Sequence, residues 1–375
     1  MTTPLALYIH WPFCLSKCPY CDFNSHVRES YSERDWLQAL QTELTYMAAQ
    51  TGPQQLHSLF FGGGTPSLMS PQTVEAVINT AQQLWPTSEN LEITLEANPN
   101  SVERDKFQNF ARAGINRISV GIQALNHADL KSLGRTHGVE EALQAIDVAA
   151  NTFERYSFDL IYARPDQTVE AWEQELTYAL SLAGSHLSLY QLTIEPGTAF
   201  EKLHQRGDLV VPNDVASETL YTHTQRLMKA AGLPAYEVSN HAVRGQECLH
   251  NLIYWRYQDY VGVGPGAHGR MTVNGEKIAT QCVKAPELWL DAVKAKGHGI
   301  HRQETIPAED QQLERLMMGL RLSEGVVFDA ALQAALPEKK LQDLVDEKLL
   351  VIEKRRLCAT TAGRLRLNGV LGYLV

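Results

Sequence analysis

The chain has 375 residues, of which 44% are hydrophobic and 20% are charged, with a net charge of −10 at pH 7. This length predicts two to three domains and a core large enough to need no disulfide bonds. An acidic chain repels phosphate backbones, so nucleic acid is not an expected partner, and no apolar run approaches the roughly 20 residues of a membrane span.

The N-terminus has neither the basic region nor the apolar region of a secretory signal peptide. We therefore expect the protein in the cytoplasm, where thiols stay reduced.

Strand-like and helix-like segments alternate through the first half of the chain. Ser32 is a candidate N-cap, and Pro71 occupies the first position of the second helix. Strands are predicted at 5–10, 56–61, 91–95, 117–121, 157–161 and 186–192. Helices are predicted from about 33 to 49, from 71 onward, and at 103–113, 139–150, 168–182 and 214–230.

Six strand–helix repeats imply parallel strands joined by right-handed crossovers, which both a doubly wound sheet and a barrel satisfy. Polar residues recur near the carboxyl ends of the strands, where a barrel places its active site. We therefore predict an α/β fold with a partial (β/α)6 TIM-like barrel over residues 1–235. A connecting segment at 236–305 and a smaller winged-helix-like α+β domain at 306–375 follow it.

Three of the six cysteines, Cys14, Cys18 and Cys21, lie just after the first predicted strand. In a reducing compartment such clustering indicates a metal or cluster site. Three thiolates can hold three corners of an iron–sulfur cubane and leave one iron open, whereas four cysteines would saturate it. The alternatives are zinc, with Cys248 or a histidine as fourth ligand, and three unrelated thiols.

Polar and glycine residues follow the predicted strands in turn. The first such group, Gly62-Gly63-Gly64-Thr65, follows strand two, where bare backbone can approach a ligand closely. Each of these residues alone could be structural, but their recurrence from strand to strand indicates a common site. The others are Glu96 after strand three, Gln123 and Arg135 after strand four, and Asp159 on strand five.

The C-x3-C-x2-C spacing, its lead-in Tyr-Ile-His-Trp-Pro-Phe and the strand-end motifs resemble the radical-SAM proteins. More narrowly, they resemble the group that contains oxygen-independent coproporphyrinogen III oxidases and haem chaperones. The resemblance implies a [4Fe–4S] cluster on Cys14, Cys18 and Cys21, whose open iron binds S-adenosylmethionine. It also implies contacts to S-adenosylmethionine at Tyr8, Gly63, Gly64, Thr65, Glu96, Gln123, Arg135 and Asp159, and more weakly at Thr193.

Two departures separate this chain from the oxidases of that group. The oxidases carry one more cysteine two residues after the triplet, at the position where this chain has Phe23. The oxidases also have a long extension before the first strand, which is not seen in this sequence. The Cys-Asp-Phe sequence is instead typical of the chaperones, so decarboxylation of coproporphyrinogen is not the expected activity.

The resemblance also implies that the protein binds haem, at the element His250-Asn251-Leu252-Ile253-Tyr254-Trp255. His250 could supply an axial ligand to the iron while Tyr254 and Trp255 pack the macrocycle. The alternative is a core histidine bonded to backbone. His268 is a second candidate ligand, His10 is expected to be structural, and Cys248, Cys282 and Cys358 are expected to be ordinary thiols.

Three functions are compatible with these features. The first is a chaperone that binds haem and delivers it to apo-haemoproteins, such as respiratory enzymes at the inner membrane face. The second is a radical-SAM oxidase of a tetrapyrrole. The third is an iron–sulfur regulator that uses its C-terminal domain, and the net charge of −10 opposes it. The basic run 354–356 is expected to be a solvated or protein-docking face.

Overall fold

The computed structural model describes residues 4–28 and 30–375. Its strands are, in chain order, β1 (Pro4–Trp11), β2 (Phe13–Cys14), β3 (His26–Val27), β4 (Gln55–Gly63), β5 (Thr87–Ala97), β6 (Arg117–Gln123), β7 (Arg155–Tyr162), β8 (His186–Gln191), β9 (Asn240–Ala242), β10 (Asp259–Val263), β11 (His268–Val273), β12 (Glu276–Cys282), β13 (Ile300–Thr305), β14 (Val326–Val327), β15 (Leu350–Glu353) and β16 (Arg356–Ala359).

The helices follow the same order, with one short 3-10 helix at Pro66–Leu68. They are α1 (Glu33–Thr51), α2 (Pro71–Leu84), α3 (Ser101–Arg104), α4 (Phe107–Arg112), α5 (His127–Ser132), α6 (Val139–Thr152), α7 (Val169–Leu182), α8 (Ala199–Gln205), α9 (Asp214–Ala230), α10 (Leu249–Trp255), α11 (Pro286–Lys296), α12 (Ala308–Gly319), α13 (Ala330–Ala335), α14 (Glu338–Asp346), α15 (Thr361–Leu365) and α16 (Leu367–Leu374).

The predicted partial (β/α)6 barrel is confirmed. Strands β1, β4, β5, β6, β7 and β8 neighbour one another in chain order, and each adjacent pair runs parallel. The caps at Ser32 and Ser70 accept backbone N–H groups as expected. The sheet does not close, because its edge strands β9 and β13 are not paired with each other.

The segment 236–305 is part of the main sheet, although the sequence suggested only a connection. Strand β9 extends the sheet beyond β8, while β10 to β13 extend it beyond β1. Strand β10 runs parallel to β1, with Leu5 paired to Asp259, so it lies beside the first strand although it comes late in the chain. The helix expected at 103–113 is also divided into α3 and α4, because the Lys106 N–H bonds the Glu103 carbonyl in a tight turn.

The two faces of the barrel strands differ in polarity. On β5, Ile93 and Leu95 belong to the main apolar core under the helices, whereas Glu92, Thr94 and Glu96 alternate with them and point to the other face. A fully packed barrel interior would be filled with branched apolar residues. The polar inner face therefore indicates an interior built to hold ligands and hydrogen-bond networks.

The C-terminal part has its own apolar core, which includes Leu316, Leu357 and Val370. Strands β14, β16 and β15 form its antiparallel sheet, and the predicted hairpin is β15 and β16. Ion pairs join it to the barrel: Arg270 to Glu314 at 2.8 Å and Arg256 to Glu324 at 3.0 Å. Among the described residues, no helix is both long and apolar enough to cross a membrane.

Glu43 on α1 forms hydrogen bonds that hold the segment containing β10 to β13 against the barrel. Its fully buried carboxylate accepts the backbone N–H of Gly264 at 2.8 Å, the indole N–H of Trp289 at 3.0 Å and the backbone N–H of Gly299 at 2.5 Å. The Cys282 thiol lies at 3.6 Å. The Glu43 carboxylate accepts hydrogen bonds from donors on three separate segments. If a donor group replaced one of its oxygens, some of these buried N–H groups would lose their partner.

We expect Glu43→Gln to lower the free energy of unfolding by about 2–4 kcal/mol, because the new amide N–H group faces buried donors instead of accepting from them. Urea unfolding followed by circular dichroism measures the change. Glu75→Gln is the matched control, since Glu75 is exposed on the neighbouring helix α2. Equal stability of the two variants would contradict the role given to Glu43.

Candidate functional site

The three clustered cysteines lie at one end of the barrel, beside the carboxyl ends of its parallel strands. Cys14 ends β2, and Cys18 and Cys21 follow in a turn closed by the Cys21 N–H bonding the Cys18 carbonyl at 3.1 Å. All three thiols are free and line a cavity of about 150 Å³. The chain therefore brings them together where the strand-end residues also converge.

Most of the residues expected to contact S-adenosylmethionine line this same cavity. They are Gly63, Gly64, Thr65, Glu96, Gln123, Arg135 and Asp159. Tyr8 instead lines a larger adjoining cavity, and its hydroxyl lies 3.1 Å from His10 Nδ1. Thr193 lines neither of these two cavities, and its hydroxyl donates to Glu195 at 2.8 Å.

Two side chains hold the thiols in place. The Thr65 hydroxyl donates to Cys14 Sγ at 3.4 Å, and Arg135 Nη1 donates to Cys18 Sγ at 3.2 Å. Arg135 Nη2 also donates to Asn98 Oδ1 at 2.6 Å and to the Gly121 carbonyl at 2.8 Å. In this arrangement, Arg135 links the cysteine loop to strands β5 and β6.

Glu96 and Asp159 place two carboxyl groups inside the barrel. Burial raises the pKa of Glu96 to about 8, with the nearby Asp159 carboxyl adding to the shift, and burial raises the pKa of Asp159 to about 6. Ser119 donates to Asp159 at 3.3 Å. The charge of Arg117 offsets only part of these shifts, so both buried acids would be stabilised in their charged form by a cationic ligand, and S-adenosylmethionine carries both an ammonium and a sulfonium group.

The glycines after β4 are required by close packing as well as by any ligand. Gly63 has a φ of +112°, and a Cβ there would lie 2.7 Å from the His10 ring. A Cβ on Gly64 would lie 2.7 Å from the Phe13 carbonyl oxygen. This turn is therefore accessible only to glycine, and it leaves backbone groups open to the cavity.

The donor set suits a cluster better than a single ion. Within residues 4–28 and 30–375, no group of three or more His, Cys, Asp or Glu side chains is arranged to hold one metal ion. Cys248, the proposed fourth zinc ligand, is instead buried with its thiol 3.4 Å from Glu92. Three thiols around a cavity fit a larger group with three protein ligands.

A second cavity of about 1100 Å³ adjoins the first and shares Lys17, Phe23, Gly63 and Glu96 with it. Phe23 is 59% exposed, so the larger cavity reaches the surface there. Aromatic residues make up much of its wall: Tyr8, Phe60, Tyr190, Tyr254, Trp255 and Tyr260.

Helix α10 explains the His-Asn-x-x-Tyr-Trp spacing. His250, Asn251, Tyr254 and Trp255 line the large cavity, as residues one and four positions apart on one helix face do. Ile253 between them is buried on the opposite side. Sequence reasoning found the motif but missed the helix, whose seven residues are too few to show a clear period.

Glu92 fixes the start of α10. Its carboxylate accepts the N–H groups of Leu249 and His250, each at 3.1 Å, and pairs with Arg155 at 2.7 Å. Burial alone would raise the pKa of Glu92, but the charges of Arg117 and Arg155 keep it below its usual range. An ionised carboxylate at a helix N-terminus is electrostatically favourable.

His250 has the contacts of a neutral imidazole. Its Nδ1 lies 3.1 Å from the Ser58 hydroxyl, and its ring stacks on Phe60 at 4.8 Å between centroids. Burial lowers the pKa of His250 to about 4. No hydrogen bond to Nε2 is found among the described residues, so this nitrogen is available to a ligand in the cavity.

The other histidines of the cavity differ from His250. Both ring nitrogens of His10 are occupied, by the Tyr8 hydroxyl and by the Asn24 carbonyl at 2.9 Å, which fits the structural role expected for it. His268 is exposed at the rim. Sequence reasoning missed Asn98 and Ser119, which also line the small cavity. The alternation of side chains along β6 could have predicted that Ser119 faces the barrel interior, as Asp159 does on the next strand.

Comparison with known proteins gives two family matches. Residues 8–179 match the radical SAM superfamily, and residues 306–366 match the HemN C-terminal domain. The chain is 39% identical to "Heme chaperone HemW" of Escherichia coli, covering 86% of this chain and 83% of that protein.

Two further matches extend these likenesses. The chain is 36% identical to "Radical S-adenosyl methionine domain-containing protein 1, mitochondrial" of Danio rerio, covering 98% of this chain and 86% of that protein. The structure of coproporphyrinogen III oxidase (HemN) from Escherichia coli superposes with a TM-score of 0.82 at 20% identity, covering 99% of this chain and 90% of that one. Because the identity is only 20%, the match to the HemN structure establishes the fold alone.

We expect Cys14→Ala, Cys18→Ala and Cys21→Ala each to lose most of the iron that the wild-type chain takes up, about four atoms for one cubane, because each removes a corner ligand. Iron content and visible absorption after anaerobic reconstitution measure it. Cys358→Ala is the control, since Cys358 lies in the C-terminal part. Retention of wild-type iron by any triplet variant would contradict the assignment.

Proposed function

The chain belongs to the radical-SAM superfamily and, within it, to the HemW family, and from this premise we propose that it is a haem chaperone that binds haem and delivers it to apo-haemoproteins. Membership of the superfamily implies a [4Fe–4S] cluster and S-adenosylmethionine, and the chaperone relatives imply haem as the carried ligand.

One observation carries the proposal. An aromatic cavity of about 1100 Å³ is lined by a neutral, half-buried histidine, and it shares a wall with the cavity of the three cysteines. The volume lies at the upper end of small-ligand sites, as a macrocycle requires. A barrel that only cleaved S-adenosylmethionine would have no need of His250 with an available Nε2.

The residues of the small cavity would hold the cluster and its ligand. Cys14, Cys18 and Cys21 would ligate three irons, and the cluster supplies an open iron and an electron for S-adenosylmethionine. The cationic groups of that ligand fit beside Glu96 and Asp159, and the backbone at 63–64 approaches it closely.

The residues of the large cavity would hold haem. His250 Nε2 would ligate the iron; the contact of Nδ1 with the Ser58 hydroxyl supports this, because it leaves Nε2 for a ligand and restrains the ring. The faces of Tyr254 and Trp255 supply apolar area for the macrocycle. The mouth at Phe23 and His268 is exposed, so cargo can leave without unfolding of the barrel.

Transfer to clients and the compartment are further parts of the proposal. Respiratory enzymes at the inner membrane face are the clients we favour, reached by peripheral association through those clients. We place the protein in the cytoplasm, although relatives with "mitochondrial" in their names make the organelle the competing compartment.

We expect haem to bind the wild-type protein with a shifted Soret band and His250→Ala to bind it at least about tenfold more weakly, which corresponds to about 1.4 kcal/mol. The cause is the loss of the axial nitrogen. His127→Ala is the matched control, because that side chain is 66% exposed and outside both cavities. An unchanged spectrum when haem is added to wild type would refute the proposal.

The alternative function is oxidation of coproporphyrinogen III. It has the shared fold in its favour, but Phe23 occupies the position of the extra cysteine. We expect the reconstituted, reduced protein with S-adenosylmethionine to form no protoporphyrinogen, as measured by chromatography of the tetrapyrroles. Steady product formation would establish the oxidase instead, and Phe23→Cys tests whether that residue alone blocks turnover.

A further inference from the structure

Arg321 brings the C-terminal part of the chain into the large cavity. It follows helix α12, within the stretch that matches the HemN C-terminal domain, yet it lines the same cavity as His250 on α10. Its guanidinium carbon lies 5.3 Å from the centroid of the Trp255 ring. Two separate parts of the fold therefore meet at this point of the cavity wall.

Arg321 differs from the arginines around it. Arg256, Arg270 and Arg315 are each ion-paired to a carboxylate, at 3.0, 2.8 and 2.8 Å. Among the described residues, no ion pair or side-chain hydrogen bond is found for Arg321. Glu237 lines the same cavity, and its carboxylate accepts the Ser239 N–H at 2.9 Å. The distance between this carboxylate and the Arg321 guanidinium is longer than that of an ion pair.

A guanidinium that lies over an aromatic ring is restrained by that contact, so the directions open to its N–H fork are limited. This geometry matches a carboxylate, which accepts two parallel hydrogen bonds from the fork. Haem combines an apolar plane with two propionate carboxylates at one edge. The wall around α10 offers a similar combination, because the aromatic faces of Tyr254 and Trp255 lie beside the Arg321 guanidinium.

The spacing along α10 agrees with this orientation. His250 and Trp255 are five residues apart, which is about 7.5 Å along a helix axis and comparable to the distance from a porphyrin iron to its propionate edge. On the side of the cysteine loop the cavity is lined by Asp22, whose charge opposes a carboxylate, and by Lys17. At the other end the Arg321 guanidinium lies over Trp255, so the propionate edge would lie on that side.

We propose that Arg321 binds a propionate of the haem, so that the C-terminal domain is part of the cargo site and selects tetrapyrroles that carry carboxylates. The inference rests on the proposed function and adds an orientation and a specificity to it. His250 recognises the iron, and Arg321 recognises the carboxylate edge.

Three probes separate these two contributions: haem, iron-free protoporphyrin IX and haem dimethyl ester, whose carboxylates are blocked. Affinities are measured by fluorescence quenching and absorbance titration. We expect Arg321→Gln to weaken haem and protoporphyrin IX by about 10- to 100-fold, as loss of a charge-assisted hydrogen bond does, and to leave the dimethyl ester within about threefold. His250→Ala weakens haem and the ester but spares protoporphyrin IX.

Arg302→Gln is the matched control, because Arg302 is exposed on β13, pairs only with Glu304 on the same strand, and lies outside this cavity. It should leave all three affinities unchanged, and Arg321→Lys should recover part of the loss. Equal weakening of haem and its ester by Arg321→Gln, or no weakening, would overturn the inference while the chaperone function stands. Failure of the wild-type protein to bind any of the three probes would overturn both.

Discussion

The buried carboxylate of Glu92 is the constraint on which the two cavities depend. It lies on an inner position of β5, is paired with Arg155, and receives the first N–H groups of α10. An ionised group inside a barrel is costly unless pairs and hydrogen bonds satisfy it, and here both do. Arg155 also donates to the carbonyls of Gln246 and Glu247, so the connection that enters α10 is fixed from two sides. The helix that carries His250 is thereby held against strands β1, β4 and β10.

The repeating part of the fold could be predicted from sequence, and the part that covers it could not. Each barrel strand is a run of apolar residues followed by an amphipathic helix, and this pattern needs no tertiary information. Strand β10 is five residues long, contains Gly262 and is followed by Gly264, and it joins the main sheet by pairing with β1, which is distant in sequence. Helix α10 likewise depends on Glu92, which is far away in sequence. Such elements are determined by distant partners and leave little local pattern.

The same distinction applies to the site. The cysteines and most strand-end residues were found because the carboxyl ends of parallel strands converge, so their sequence positions already imply proximity. Tyr8 was predicted to contact S-adenosylmethionine with the strand-end residues; it lines the larger cavity, with its hydroxyl 3.1 Å from His10 Nδ1. Arg321 belongs to no sequence motif, so its role could not be predicted from the sequence. It reaches the cavity only because a separate apolar core positions the end of α12 beside Trp255.

Gly63 and Glu96 belong to the walls of both cavities, and this shared partition has a thermodynamic consequence. Binding in the two chambers obeys linkage: whatever factor one occupant applies to the affinity of the other is returned unchanged in the opposite direction. The occupancy of the large chamber and the occupancy of the small one are therefore governed by a single coupling free energy. Its sign decides whether a filled small chamber retains the macrocycle or expels it.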